Sequence, residues 1–280
     1  MLLLILACTA SKPADTSGGA DSGIDSGVHD TAAIDPWGED AAVPEGPDVP
    51  VSGYAINFGP PWGGVVGAEI SVVELPHYTA ITDADGRFDL GPLPRGLRVS
   101  FELSHPDQAP IRTGTFLLGD PMDGGDAITN LSFQSPTPAL YALMAQATGI
   151  TPQDDRCQVA TTVTRRGHDM VTGSGTHGEP GATASLSPDA AWDAGPVYFN
   201  LSASNVIWPD SSLGQTTDDG GVLWANVPPG HYLMEGAKDG ASIRPVKIDC
   251  TAGYLVNASP PWGLQVLTGG LDPEDPGYQG

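Results

Sequence analysis

Positive charge is scarce in this chain: its 280 residues carry 11 Lys and Arg against 34 Asp and Glu, a formal net charge of −23. A surface of that sign repels phosphate backbones and acidic headgroups, which argues against nucleic acid and against direct attraction to anionic lipid. Charged residues are only 16% of the chain, whereas Gly (37) and Pro (27) are plentiful. Such a composition disfavours long helices and favours short strands joined by many turns. No apolar run approaches the roughly 20 residues that a membrane-spanning helix requires. The six histidines (His29, His77, His105, His168, His177 and His231) offer no His-x-His or His-x-x-x-His pair, so no metal site is expected. Gly-x-Ser-x-Gly, His-Glu-x-x-His and a phosphate loop are also missing.

The chain opens with MLLLILAC, an apolar run ending in Ile5-Leu6-Ala7-Cys8 and followed by small, polar and acidic residues. It resembles the lipobox of bacterial lipoproteins, which implies lipidation of Cys8. With Thr9 after the cysteine, the resemblance implies the outer membrane of an enteric-type cell as the location. No Lys or Arg precedes the run and it is short for a signal segment, so the translation start is expected upstream. Residues 9–50 hold nine acids with the preceding segment against Lys12 alone, and few bulky apolar groups. They cannot bury enough surface to offset their ordering entropy and are expected to form a disordered, self-repelling tether. The same expectation applies to the tail 269–280.

From Val51 the pattern changes to strand-length apolar or alternating runs, such as VSGYAINFG, GRFDLGPL and LRVSFELS. An internal repeat runs through them. Thr82, Asp85, Gly86, Pro94 and Gly96 recur as Thr216, Asp219, Gly220, Pro228 and Gly230, and Gly67-Ala68 recurs as Gly181-Ala182. The second copy holds extra residues around WDAGPVYFNLSASNVIWPDSS. The pattern Gly-Ala, Thr-x-x-Asp-Gly, alternating strand and x-Pro-x-Gly resembles the carboxypeptidase regulatory-like domain over about 65–105 and 180–235. That resemblance implies Greek-key, transthyretin-like β-sandwiches. The expected fold class is therefore all-β: sandwich 1 over 51–134, a linker helix within 135–150 and sandwich 2 over 151–268.

Asp83, Asp85 and Asp89 also look like the start of a calcium loop. Only Asp85 has an acidic counterpart in the repeat, and the glutamate that an EF-hand needs at its twelfth position is missing from both copies. An Asp-Gly turn with a positive backbone dihedral explains both copies. For the helix, Thr137 supplies the cap, Pro138 the first turn and Gly149 the stop, with Leu140, Leu143, Met144 and Ala147 as the face expected to pack on a sandwich and set the interdomain angle. Cys157 and Cys250, on strands expected in the second core and in an oxidising compartment, are expected to form a disulfide.

The functional expectation is a lipid-anchored, non-enzymatic envelope protein without cofactor or metal, in a binding or scaffolding role. Its partners would be the membrane through the anchor, and a glycan or another envelope protein. Trp192, Asp193, Trp208 and Asp210 are the candidate ligand-binding residues, since rings flanked by carboxylates suit sugar faces. The alternative comes from Pro-Gly-His-Tyr at 229–232, which resembles the iron-tyrosine segment of intradiol dioxygenases. That reading would use Tyr232 with Tyr198 or His177, but the His-x-His that should follow is missing.

Overall fold

The computed structural model describes residues 36–38, 40, 42–59, 62–168, 177–201, 207–259 and 261–272. Among the described residues nine strands precede the helix: β1 (Val49–Asn57), β2 (Glu69–Val72), β3 (Leu75–Ile81), β4 (Arg87–Leu93), β5 (Arg98–Val99), β6 (Phe101–Ser104), β7 (Ile111–Thr113), β8 (Phe116–Leu117) and β9 (Ile128–Ser135). The helix α1 (Pro138–Thr148) follows. Then come β10 (Cys157–Thr164), β11 (Thr183–Ser187), β12 (Ala194–Leu201), β13 (Ile207–Asp210), β14 (Gly221–Val227), β15 (Gly230–Ala237), β16 (Ser242–Ile243), β17 (Val246–Cys250), β18 (Leu255–Asn257) and β19 (Leu264–Thr268). Among the described residues the protein is all-β with one α-helix, and no helix is long and apolar enough to cross a membrane.

Two apolar cores account for two sandwiches. In the first, β4-β1-β9 lies against β3-β2-β6-β7, and alternate residues such as Val51, Phe88, Leu131, Ile70 and Phe101 meet between them. In the second, β14, β10 and β18 lie against β11-β15-β17, with Val159, Trp224, Leu186, Met234 and Ile248 inside. Cys157 on β10 is bonded to Cys250 on β17, closing a separation of 93 residues between the two sheets. In the chain-entropy model a bridge of that span contributes about 4 to 5 kcal/mol.

The sandwiches share a strand. β18 runs parallel to β10 on one side, with Val159 opposite Val256, and parallel to β7 on the other, with Val256 opposite Arg112. One sheet therefore passes from β13 through β12, β14, β10, β18, β7, β6 and β2 to β3. Side chains reinforce the seam: Arg112 pairs with Glu102 at 2.9 Å and reaches Thr251, Tyr254 donates to Glu102, and Arg244 pairs with Asp123. The interdomain angle is thus set by backbone pairing, rather than by the helix as expected.

The segment before β1 is also tied down. Trp37 stacks on His231 at 4.0 Å and donates its indole N–H to the Tyr232 carbonyl. Asp40 accepts from Lys247 of the second sandwich and pairs with Arg98 of the first. Arg95 donates to the Pro47 carbonyl at 2.7 Å. The described part of 36–48 is therefore a strap over both sandwiches, not free tether, because its aromatic ring and carboxylate find fixed partners. At the other end, the Leu271 N–H donates to buried Glu179, which also pairs with Lys238, so the body extends to that residue.

The repeat has a physical cause at two positions. Thr82 is buried, accepts from the Ala68 N–H at 2.8 Å and donates to the Val65 carbonyl; Thr216 accepts from the Ala182 N–H at 2.9 Å and donates to the Glu179 carbonyl. In each copy the hydroxyl clamps the Gly-Ala turn onto the loop before the Asp-Gly hairpin. Gly86 and Gly220 sit at φ +78° and +76°, and a Cβ there would come within 2.4 Å of the Ala55 oxygen or 2.5 Å of the Val163 oxygen. Only glycine fits. The extra residues of the second copy form the β12–β13 hairpin, which extends the β14 edge rather than a loop. Asp83 accepts from the Asp85 and Arg87 amides and Asp89 from the Gly91 amide, so these carboxylates serve their own turns.

Replacing Thr216 by Val keeps the shape and removes the hydroxyl, leaving a buried amide and a buried carbonyl unpaired. A loss of about 1–3 kcal/mol is expected in urea denaturation. Thr82→Val should cost a similar amount, and a loss below about 0.5 kcal/mol for both would contradict the clamp.

Candidate functional site

The helix begins and ends as its sequence dictates. Thr137 accepts from the Leu140 N–H, Pro138 occupies the first turn, and Gly149 at φ +72° stops it. Its inner face is rotated from expectation: Leu140, Tyr141, Met144, Ala145 and Thr148 turn inward, whereas Leu143 is 49% exposed. The cause is the target. Tyr141 reaches the first core while the helix lies beside β13, so the buried stripe follows two surfaces rather than one. The side chain of Ala147 lies outside the described residues.

Between this helix and the sheet lies a groove of about 690 Å³. Its floor is the outward face of β10, β14, β12 and β18, through Ala160, Leu223, Ala225, Phe199 and Leu255. In a sandwich with one wet face these positions would be polar. Here they are apolar because a third layer covers them. Ile207 and Trp208 of β13 form one wall, and Trp62, 76% exposed, stands at the edge. The size and the mostly apolar lining fall in the range of small-molecule sites.

The lining is mostly apolar but also holds amides and hydroxyls such as Asn57, Gln134, Thr161, Thr162 and Asn257, and the titratable Tyr141, His177 and Asp219. The Tyr141 hydroxyl makes no hydrogen bond among the described residues, and burial pushes it up to about 12, so it stays protonated. His177 is pushed down to about 4 by burial, with His168 and Arg165 adding repulsion, so it is neutral at pH 7. Among the described residues, Asp219 is the one Asp, Glu, Lys or Arg in the lining. One of its oxygens accepts from the Gly221 N–H at 3.0 Å, and it makes no ion pair among the described residues. Part of its surface opens to the groove, but protein crowds it elsewhere, and this desolvation, partly offset by the Gly221 amide, pushes its carboxyl up to about 6. Its repeat counterpart Asp85 is exposed.

The four candidate ligand residues are not brought together. Trp192 packs against the second core. Asp193 accepts from Asn226 at 2.8 Å and from Gln153 at 3.0 Å, within a network around buried Asn226, whose φ of 55° is held by bonds to Gln158 and Thr151. Trp208 lines the groove, opposite Asn200 near the far end of β12. Asp210 accepts from both the amide and the hydroxyl of Ser212, which hold its carboxyl below the usual range. Of the four, then, only Trp208 faces the groove. Cys8 lies outside the described residues. In the iron reading, Tyr232 is buried with its hydroxyl donating to the Pro228 carbonyl, Tyr198 is buried with its hydroxyl accepting from the Ala184 N–H, and His177 lines the groove.

Sequence reasoning missed the groove and Asp219 as a site residue. A signal was present in the run of apolar residues on both faces of β14, VLWANV, which marks a strand covered on both sides.

No protein-family model and no curated protein matches the chain. Among solved structures it is similar to the Bacillus anthracis TIE protein, at 14% identity and a TM-score of 0.25, over 75% of this chain and 33% of that one. It is similar to GBS52, the minor pilin of Streptococcus agalactiae, at 8% identity and a TM-score of 0.26, over 82% and 100% of the two chains. A streptococcal ancillary pilin gives 10% identity and a TM-score of 0.23, over 79% and 68%. The chain spans about a third of the Bacillus protein's length. Likenesses this low carry no functional argument, so the site is read from its own residues.

The raised carboxyl of Asp219 predicts a pH dependence. Unfolded, the group titrates near its ordinary 3.8; folded, near about 6. At low pH both states hold the proton and the residue costs nothing. Above about 6 both are ionised and the folded state carries the desolvation cost, so this contribution falls as pH rises through the window between. Asp219→Asn keeps the acceptor for Gly221 without the charge. At pH 7.5 it should be more stable than the parent by about 2 to 3 kcal/mol, at about 1.4 kcal/mol per pH unit, with no difference at pH 3.5. Urea titrations at the two values check this, and an equal offset at both would refute it.

Proposed function

We propose that this protein is a non-catalytic binding module of the cell envelope, held by a lipid on Cys8 and taking a small, largely apolar ligand in the groove beneath α1. The observation that carries this reading is the groove itself: about 690 Å³ of space over an apolar sheet face that a sandwich has no structural need to keep open. A filled contact would be more stable by the transfer and cavity terms together, so an open one is a cost that a ligand can offset. The cleavage-site sequence Ile5-Leu6-Ala7-Cys8 supports the anchor, and the acidic stretch after it gives the body reach from a membrane. A glycan remains a weaker proposal for the ligand. It has Trp208 as a stacking ring, but the exposed lining is mostly apolar, which suits a sugar less well.

Two experiments test the reading. A neutral fluorescent apolar probe, N-phenyl-1-naphthylamine, should bind in a one-to-one ratio, and Ala160→Phe, which fills the floor, should weaken it roughly tenfold while the melting temperature holds. Unchanged binding in that variant would place the probe elsewhere. For the anchor, Cys8→Ser should abolish palmitate labelling and release the protein from membranes; retention of both would refute lipidation at this residue.

A further inference from the structure

The groove carries information about the charge of its occupant. We propose that it takes an elongated apolar molecule ending in one protonated amine, with the amine seated against Asp219. This rests on the reading of the groove as a ligand site.

The argument is one of charge complementarity. Among the described residues Asp219 is the sole Asp, Glu, Lys or Arg in a mostly apolar lining, and no cation answers it. A half-buried carboxylate with one amide donor and no cation is costly to keep ionised, and on its groove side a ligand can compensate the loss of water. An ammonium group does so with a charge-assisted hydrogen bond, the stronger kind. An alcohol of the same length leaves the charge unmatched, and a carboxylate adds repulsion.

The neighbouring groups do not already neutralise it. Asp218, the adjacent acid, is paired with Arg165, whose guanidinium also donates to the Gly178 carbonyl. His177 is held neutral. The surrounding field acts in the same direction, since a chain of net charge −23 concentrates cations near its surface and repels anions. The contrast between the repeats supports a built site. The same Asp-Gly turn leaves Asp85 in solvent in the first sandwich. In the second, the inserted β12–β13 hairpin places Phe199 beside the turn, its carbonyl held by the Thr217 hydroxyl at 2.8 Å.

Displacement of N-phenyl-1-naphthylamine from the purified protein by decylamine, decanol and decanoate, each below its micelle-forming range, tests the proposal. At pH 7.5 decylamine should displace the probe at roughly tenfold lower concentration than decanol, and decanoate should be the weakest, as expected for one charge-assisted contact. In Asp219→Asn the amine-to-alcohol ratio should fall to about one. The parent's ratio should also fall between pH 7.5 and pH 5 as Asp219 takes its proton, while the variant's ratio stays flat. Probe binding without an amine preference, or a preference that survives Asp219→Asn, would overturn the proposal and leave the groove reading standing. Failure of the probe to bind the parent at all would overturn both.

Discussion

The rest of the structure depends on the pairing of β18 with two strands at once. Three residues, Leu255, Val256 and Asn257, bond to β10 on one edge and to β7 on the other. Because successive side chains of a strand point to opposite faces, Val256 enters the second core while Leu255 turns to the first core and the groove floor. One short strand thereby joins two sandwiches, aligns their sheets and supplies part of the candidate site. The disulfide at Cys250, a few residues upstream, fixes the end of β17 against β10 and so restrains the turn that leads into β18. With that seam in place the helix need not act as a strut. It can lie over the sheet as a roof, and the space under it can remain open.

The two sandwiches show how one local design acquires two roles. Both copies use a buried threonine to clamp a Gly-Ala turn and an Asp-Gly hairpin whose glycine no larger residue can replace. The copies diverge in what surrounds the hairpin. Solvent surrounds Asp85, whereas the inserted strands wall in Asp219 and raise the free energy of its charge. The same substitution of surroundings turns Val65 of the first copy into Glu179 of the second, fully buried and satisfied by Lys238 and the Leu271 amide. In one case the buried acid found protein partners; in the other it faces a groove.

Much of this was legible in the residues. Alternation predicted the strands, Thr137-Pro138 and Gly149 bounded the helix, Asp-Gly marked the hairpins and the two later cysteines marked the bridge. These are short-range signals, decided by backbone dihedrals, capping hydrogen bonds and the period of the side chains. The misreadings were of another kind. Trp192 and Trp208 look equivalent in the chain, being both aromatic and both beside an acid. Yet one packs on the core and the other walls the groove, because they lie near opposite ends of the hairpin's first strand. Leu143 belongs to the helix's apolar period but faces solvent, since the helix meets a sheet and a core edge at an angle that periodicity does not contain. The stretch 36–48 has the composition of a tether, but in its described part a single ring stacked on His231 and a carboxylate between Lys247 and Arg98 hold on to the body.

By itself, then, the sequence determined the class of fold, the two copies, their turns, the helix ends and the disulfide, because each of these follows from residues close together or from a pattern repeated along the chain. Only the tertiary structure decided which strand bridges the sandwiches, which sheet face is covered twice and which of two equivalent aspartates loses its water. Those outcomes depend on contacts between residues far apart in sequence, such as Val256 with Arg112 and Thr217 with Phe199. Their free energies are small differences between burial and solvation, which no local pattern encodes.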